Sequence, residues 1–97
     1  LRRFSRNVYY YKTNSGREVD FVLQKKDRDL MLLQVCESLA DSKTKKREIM
    51  SLSEAMAEQN LKVGFVITRN EEDQIESETG KIFILPIWRF LLTFPEL

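Results

Sequence analysis

The sequence predicts an α/β fold, more closely an α+β domain built on a mixed sheet, with its elements in the order β-β-β-α-β-β-α. Three observations carry this. Residues 8–37 hold three short β-prone segments parted by turn and polar signals. Residues 42–59 place apolar side chains at helical spacing. Residues 61–68 then form a near-continuous apolar run of strand length, and a strand reached through a crossover helix usually lies parallel to its predecessor.

The elements follow in order. "NVYYYKT" (7–13) is aromatic and β-prone, and the "NSG" after it is a turn signal, so Val8–Lys12 and Arg17–Gln24 are expected to pair as a hairpin. "KKDRD" (25–29) reads as a polar loop and "LMLLQVCE" (30–37) as a third, antiparallel strand. Asp41 or Ser42 fits a helix N-cap. Ile49, Leu52, Ala55 and Met56 make the apolar stripe of that helix, Lys45, Glu48, Glu54 and Glu58 are expected to face water, and Asn60 is a stop signal. "LKVGFVIT" (61–68) is the fourth strand. Residues 69–81 are polar and acidic and end in a turn at "ETGK". "IFILPI" (82–87) is the last strand, ended by Pro86, and "PIWRFLL" (86–92) starts a final helix with proline in its first turn. Trp88, Phe90 and Leu91 on it read as a packed or interdomain surface.

The chain of 97 residues is enough for one domain with one modest core. Leu1 is not an initiator Met, so residues 1–97 are expected to be a fragment of a longer protein. No apolar run approaches the ~20 residues of a membrane span, and no signal-peptide pattern opens the chain. Cys36 is the single cysteine, so no internal disulfide can form and a reducing cytoplasm is expected. With no histidine, Ser/His/Asp and Cys/His catalysis and most zinc sites are excluded. The net charge of +1 points to no particular partner. Its distribution is uneven: Arg2, Arg3 and Arg6 open the chain, Lys43, Lys45, Lys46 and Arg47 start the helix, and acids cluster between Glu71 and Glu78. The basic groups are nucleic-acid candidates, although a solvated helix face is their commoner meaning. Tyr9–Tyr11 can stack on bases, but alternation puts at least one of them in the core.

The second and third strands carry polar residues where buried strands have none. Glu18, Asp20, Val22 and Gln24 share one face, as do Leu30, Leu32, Gln34 and Cys36. If residues 25–29 are the loop, Gln24 faces Leu30, Asp20 faces Gln34 and Glu18 faces Cys36, which gathers Glu18, Asp20, Gln34 and Cys36 into one patch. Val19, Phe21 and Leu23 against Met31, Leu33 and Val35 would then be core on the other face. A slip of one residue would break this arrangement.

This patch resembles the active site of the PD-(D/E)xK, or restriction-endonuclease-like, superfamily over roughly residues 8–68. "EVDFVL" stands where the Asp strand does, with Asp20 at the motif position. "QVCES" stands for the next strand, with Gln34 for the carboxylate and Cys36 for the lysine. The phrases "GREVDFVL", "LLQVCESL", "TKKREIMSL" and "VGFVITRN" further resemble, in order and spacing, a C-terminal domain of unknown function in a prokaryotic AAA+-like ATPase family. That resemblance implies a parent with a P-loop ATPase domain, ATP and magnesium. This chain has no G-x-x-x-x-G-K-[ST], so the nucleotide site is not in it.

Two functions are therefore expected to compete. The first is a non-catalytic accessory domain with a vestigial patch, binding nucleic acid, a partner protein or its own ATPase domain, with no membrane role. The second is an active metal-dependent nuclease with Asp20 as a metal ligand and Glu18 as a candidate second one. Gln34 lacks a charge and Cys36 is usually a neutral thiol with a pKa of about 8.5, so neither replaces a carboxylate or an ammonium, and the accessory reading is favoured. The bland alternative is that Glu18 and Asp20 merely solvate a sheet edge and Cys36 is a small buried hydrophobe.

Overall fold

A computed structural model describes residues 2–3, 8–24 and 30–94. Among the described residues seven strands form one mixed sheet: β1 (Arg2–Arg3), β2 (Val8–Lys12), β3 (Glu18–Gln24), β4 (Leu30–Val35), β5 (Val63–Thr68), β6 (Asp73–Glu76) and β7 (Lys81–Pro86). Two helices accompany them, α1 (Ser42–Glu58) and α2 (Ile87–Thr93). The strand order is β1-β2-β3-β4-β5-β7-β6. β1 to β4 are antiparallel, β4–β5 and β5–β7 are parallel, and β6 closes the far edge antiparallel to β7. The predicted loop at 25–29 and Arg6 lie outside the described residues.

Two strands go beyond the expected order. β1 pairs Arg2 with Tyr10. β6 runs through "DQIE", inside the segment expected to be only an acidic connection. Ile75 is its one apolar side chain, and it lies opposite Ile82. The expected turn is present: Ser77 N donates to Gly80 O at 2.7 Å, which closes the β6–β7 hairpin. A Cβ on Gly80 would stand 2.1 Å from the Lys62 carbonyl oxygen, so only glycine lets the turn lie this close to the start of β5.

α1 begins as its sequence predicts. Asp41 has extended backbone, accepts from Lys43 N at 3.1 Å and receives the Thr44 hydroxyl at 3.2 Å. The cap offsets the run Lys43, Lys45 and Lys46 in the first turns, whose charge disfavours a helix start. The helix ends in a Schellman motif: Asn60 takes φ 56° and donates to Ala57 O at 3.3 Å, while Leu61 N reaches Met56 O at 2.8 Å. Asparagine tolerates this left-handed backbone better than most residues.

The sheet is apolar on both faces. On the α1 side Val19, Val22, Leu32, Leu52, Ala55, Met56, Val66 and Ile82 are fully buried, and each large side chain among them contributes roughly 1.5–3 kcal/mol on burial. On the other side Phe90 of α2 packs with Met31, Leu33, Phe65 and Ile67. Phe65 there meets Phe83, Phe90 and Phe94 with centroids 5.8, 6.1 and 5.5 Å apart.

The expected opposite-face core needs correcting. Two steps along β2, from Tyr9 to Tyr11, match three along β3, from Val22 to Val19, so β3 carries a bulge near Asp20. The bulge turns Val19 onto the α1 face with Val22. Leu23, Met31 and Leu33 keep the expected face, but Phe21 and Val35 there are exposed.

Candidate functional site

The β3–β4 ladder begins as expected, with Gln24 opposite Leu30, and runs to Phe21 opposite Leu33. There the bulge parts the two backbones, and side chains take over the pairing. Gln34 Oε1 accepts from Asp20 N at 2.8 Å, and Gln34 Nε2 donates to Glu18 O at 3.0 Å. In return Asp20 Oδ2 accepts from Val35 N at 2.8 Å. Gln34 is only 1% exposed, so its amide needs both partners, and it has them.

The patch therefore forms in part. Asp20 and Gln34 meet as the sequence predicts. Glu18 joins them through its carbonyl oxygen, while its residue is exposed at the mouth of a cleft. Cys36 does not pair with Glu18. Its N donates to Ile67 O at 3.0 Å, and its side chain packs beside the α1-side core. Burial, with the carboxylates of Glu48, Glu71 and Asp20, pushes the Cys36 thiol pKa up, so it stays protonated.

The cleft, of about 340 Å³, lies between β3 and α1 and is lined by Arg17, Glu18, Asp20, Arg47, Glu48 and Ser51, with Gly16 at its end. Glu48, expected to face water, turns into it with a side chain only 16% exposed. Burial raises the Glu48 pKa and the Asp20 charge raises it further, while Arg47, 3.7 Å away, lowers it. Sequence reasoning missed Glu48 because the helical stripe alone does not show which charged flank meets the sheet. Ser51 is buried and donates to Arg47 O at 2.9 Å.

Glu54 and Glu58 do not simply face water either. Glu58 accepts from Asn14 N at 2.9 Å and from the Tyr11 hydroxyl. Glu54 accepts from the Ser15 hydroxyl at 2.6 Å and lies 3.5 Å from Arg17 Nε. Bonds from Ser15 and Thr13 hold the Glu54 carboxyl below its ordinary pKa. Two acids of α1 thus clamp the β2–β3 turn and fix one wall of the cleft.

The basic candidates fall on separate elements. Arg47 lines the cleft. Lys43 and Lys46 are exposed along the first turns of α1, and Lys45 is half-buried. Arg2 and Arg3 lie in β1 at the sheet's edge, with β2 and β3 between them and β4. Of the acidic cluster, Glu71 accepts from Leu39 N at 2.7 Å, and Glu72 pairs with Arg89.

Magnesium prefers hard oxygen donors. Here the Gln34 oxygen and one Asp20 oxygen are turned onto backbone N–H groups, and Cys36, which the resemblance sets in the lysine's place, is a protonated thiol. The donor set does not fit a magnesium centre of the PD-(D/E)xK arrangement. Among the described residues, no group of three or more His, Cys, Asp or Glu side chains is disposed to hold a metal ion. No described helix is long and apolar enough to cross a membrane.

Fold and cleft together define a mixed-sheet α/β domain in which Gln34 is bonded to the backbone of β3 while Glu18, Asp20 and Glu48 line the adjoining cleft. The chain belongs to the family described as Domain of unknown function (DUF4143), which matches residues 1–90. No curated protein and no solved structure gives a significant match.

Proposed function

We propose that this domain is a catalytically silent relative of the restriction-endonuclease-like fold, acting in the cytoplasm as an accessory module of a larger AAA+-like ATPase. In this reading ATP and magnesium belong to the ATPase part, and the module contacts nucleic acid, a partner protein or the ATPase domain itself. One observation carries the proposal. Gln34, in the position of the motif's carboxylate, spends its whole amide on the backbone of Asp20 and Glu18. The Gln34 amide and one Asp20 oxygen act as fold-holding groups, and a nuclease needs such donors free for metal and water.

The test is DNA cleavage with magnesium or manganese, beside filter binding at low and moderate salt. The expected result is no metal-dependent cleavage, with any DNA binding lost steeply as salt rises and weakened by Lys43→Ala and Lys46→Ala. Metal-dependent cleavage abolished by Asp20→Asn would overturn the silent reading and install the nuclease.

A further inference from the structure

α2 is apolar around most of its circumference. Phe90 packs on the sheet and Phe94, just beyond the helix, is half-buried. Ile87, Trp88, Leu91 and Leu92, at relative positions 0, 1, 4 and 5, occupy the neighbouring stripe and are 45%, 56%, 59% and 74% exposed. Only Arg89 and Thr93 interrupt this pattern. Helices apolar nearly all round are normally buried on both sides. The stripe continues across an open groove that Ile87 shares with Ile67 and Val35, the last 50% exposed.

We infer that this face is covered by the same face of a second copy of the chain. The area is right for it. Taking a large apolar residue as about 150–250 Å² when bare, the five exposed residues leave on the order of 500 Å² per copy. Two copies then bury on the order of 1,000 Å² of apolar surface before any rim is added, which meets the lower bound expected of a specific interface. Scattered exposed apolar residues would need no such account.

The rim points the same way. Among the described residues it carries Glu37 with Arg69, 3.1 Å apart, and Glu72 with Arg89, two exposed ion pairs of no net charge. Such a rim meets its own copy across a two-fold axis without repulsion. A lipid surface or a phosphate backbone would call for an excess of cations around the patch, and the described rim has none.

Trp88 is the chain's one tryptophan and lies within the stripe, so it reports the contact directly. Sedimentation equilibrium and Trp88 fluorescence are measured together over the micromolar to millimolar range. A monomer–dimer equilibrium is expected, with Trp88 emission moving to shorter wavelength and acrylamide quenching falling as dimer forms. Leu92→Glu and, separately, Leu91→Glu should each raise the dissociation constant at least about tenfold, with far-UV circular dichroism unchanged. A protein that stays monomeric throughout, whether Trp88 is open or shielded, overturns the inference. So does a dimer that both variants leave intact.

Discussion

Asp20 and Gln34 each bond the backbone of the other's strand: the Gln34 amide accepts from Asp20 N at 2.8 Å, and the Asp20 carboxylate accepts from Val35 N at 2.8 Å. The exchange bridges the point where the β3 bulge pulls two neighbouring strands apart. Replacing Gln34 by Leu would leave the Asp20 N–H and the Glu18 carbonyl unpaired in a part-buried place. Each such group costs roughly 1–3 kcal/mol, so Gln34→Leu is expected to lower stability by about 3 kcal/mol in urea denaturation.

A carboxylate placed at position 34 should be costly. Gln34→Glu keeps an acceptor for Asp20 N but loses the donor to Glu18 O and buries a charge close to Asp20. The introduced carboxyl would have a raised pKa, so it binds more protons folded than unfolded. Its penalty is full above the folded pKa and fades as pH falls. The stability deficit of Gln34→Glu is therefore expected to be largest at alkaline pH and to shrink on acidification, read from denaturation curves across pH.

Glu48 obeys the same sign. Burial first, and the Asp20 charge second, raise its pKa, so its ionised form costs stability above the folded value, and the cost vanishes below the ordinary glutamate value. Glu48→Gln should raise the urea midpoint at about pH 8 and leave it nearly unchanged near pH 4.

The opposite sign applies at Glu54, whose pKa is depressed by the Ser15 and Thr13 hydroxyls. Its stabilisation is present above the unfolded carboxylate value and is lost as pH falls through the lower folded one. Glu54→Gln should speed amide hydrogen exchange at Ser15 several-fold at neutral pH. In the wild type, the same loosening should set in only as the acid limb is reached.

Gly64 tests the helix-to-sheet spacing. A Cβ there would meet Met56 Sδ at 2.8 Å and Leu52 Cγ at 3.0 Å. Gly64→Ala is expected to cost about 1–3 kcal/mol as an overpacked core, measured by thermal or urea unfolding. Met56 gives way more easily than Leu52, so Gly64→Ala combined with Met56→Ala should cost less than the sum of the two changes.

Much of this architecture is legible in the chain because local and tertiary preferences agree. The aromatic β-run, the cap signal at Asp41 or Ser42, the Asn60 stop and the apolar run at 61–68 each state their element directly. The Asp20–Gln34 meeting was also legible, since setting Gln24 opposite Leu30 fixes the register of the two strands. What escaped has physical reasons. β6 is held mainly by backbone bonds to β7, and three of its four residues are exposed, so no apolar alternation marks it. The bulge that turns Val19 inward has no turn residue to announce it. The roles of Glu48, Glu54 and Glu58 depend on where α1 lands on the sheet, which its own periodicity does not specify.

The outer border of β6 shapes how copies of this chain can meet. Strands left open on one side invite further strands to zip on, and proteins often guard them with charge. Asp73 and Glu76 are both exposed on this strand, so two such borders brought together would repel. Growth of the sheet into a continuous ribbon is thereby discouraged at this end.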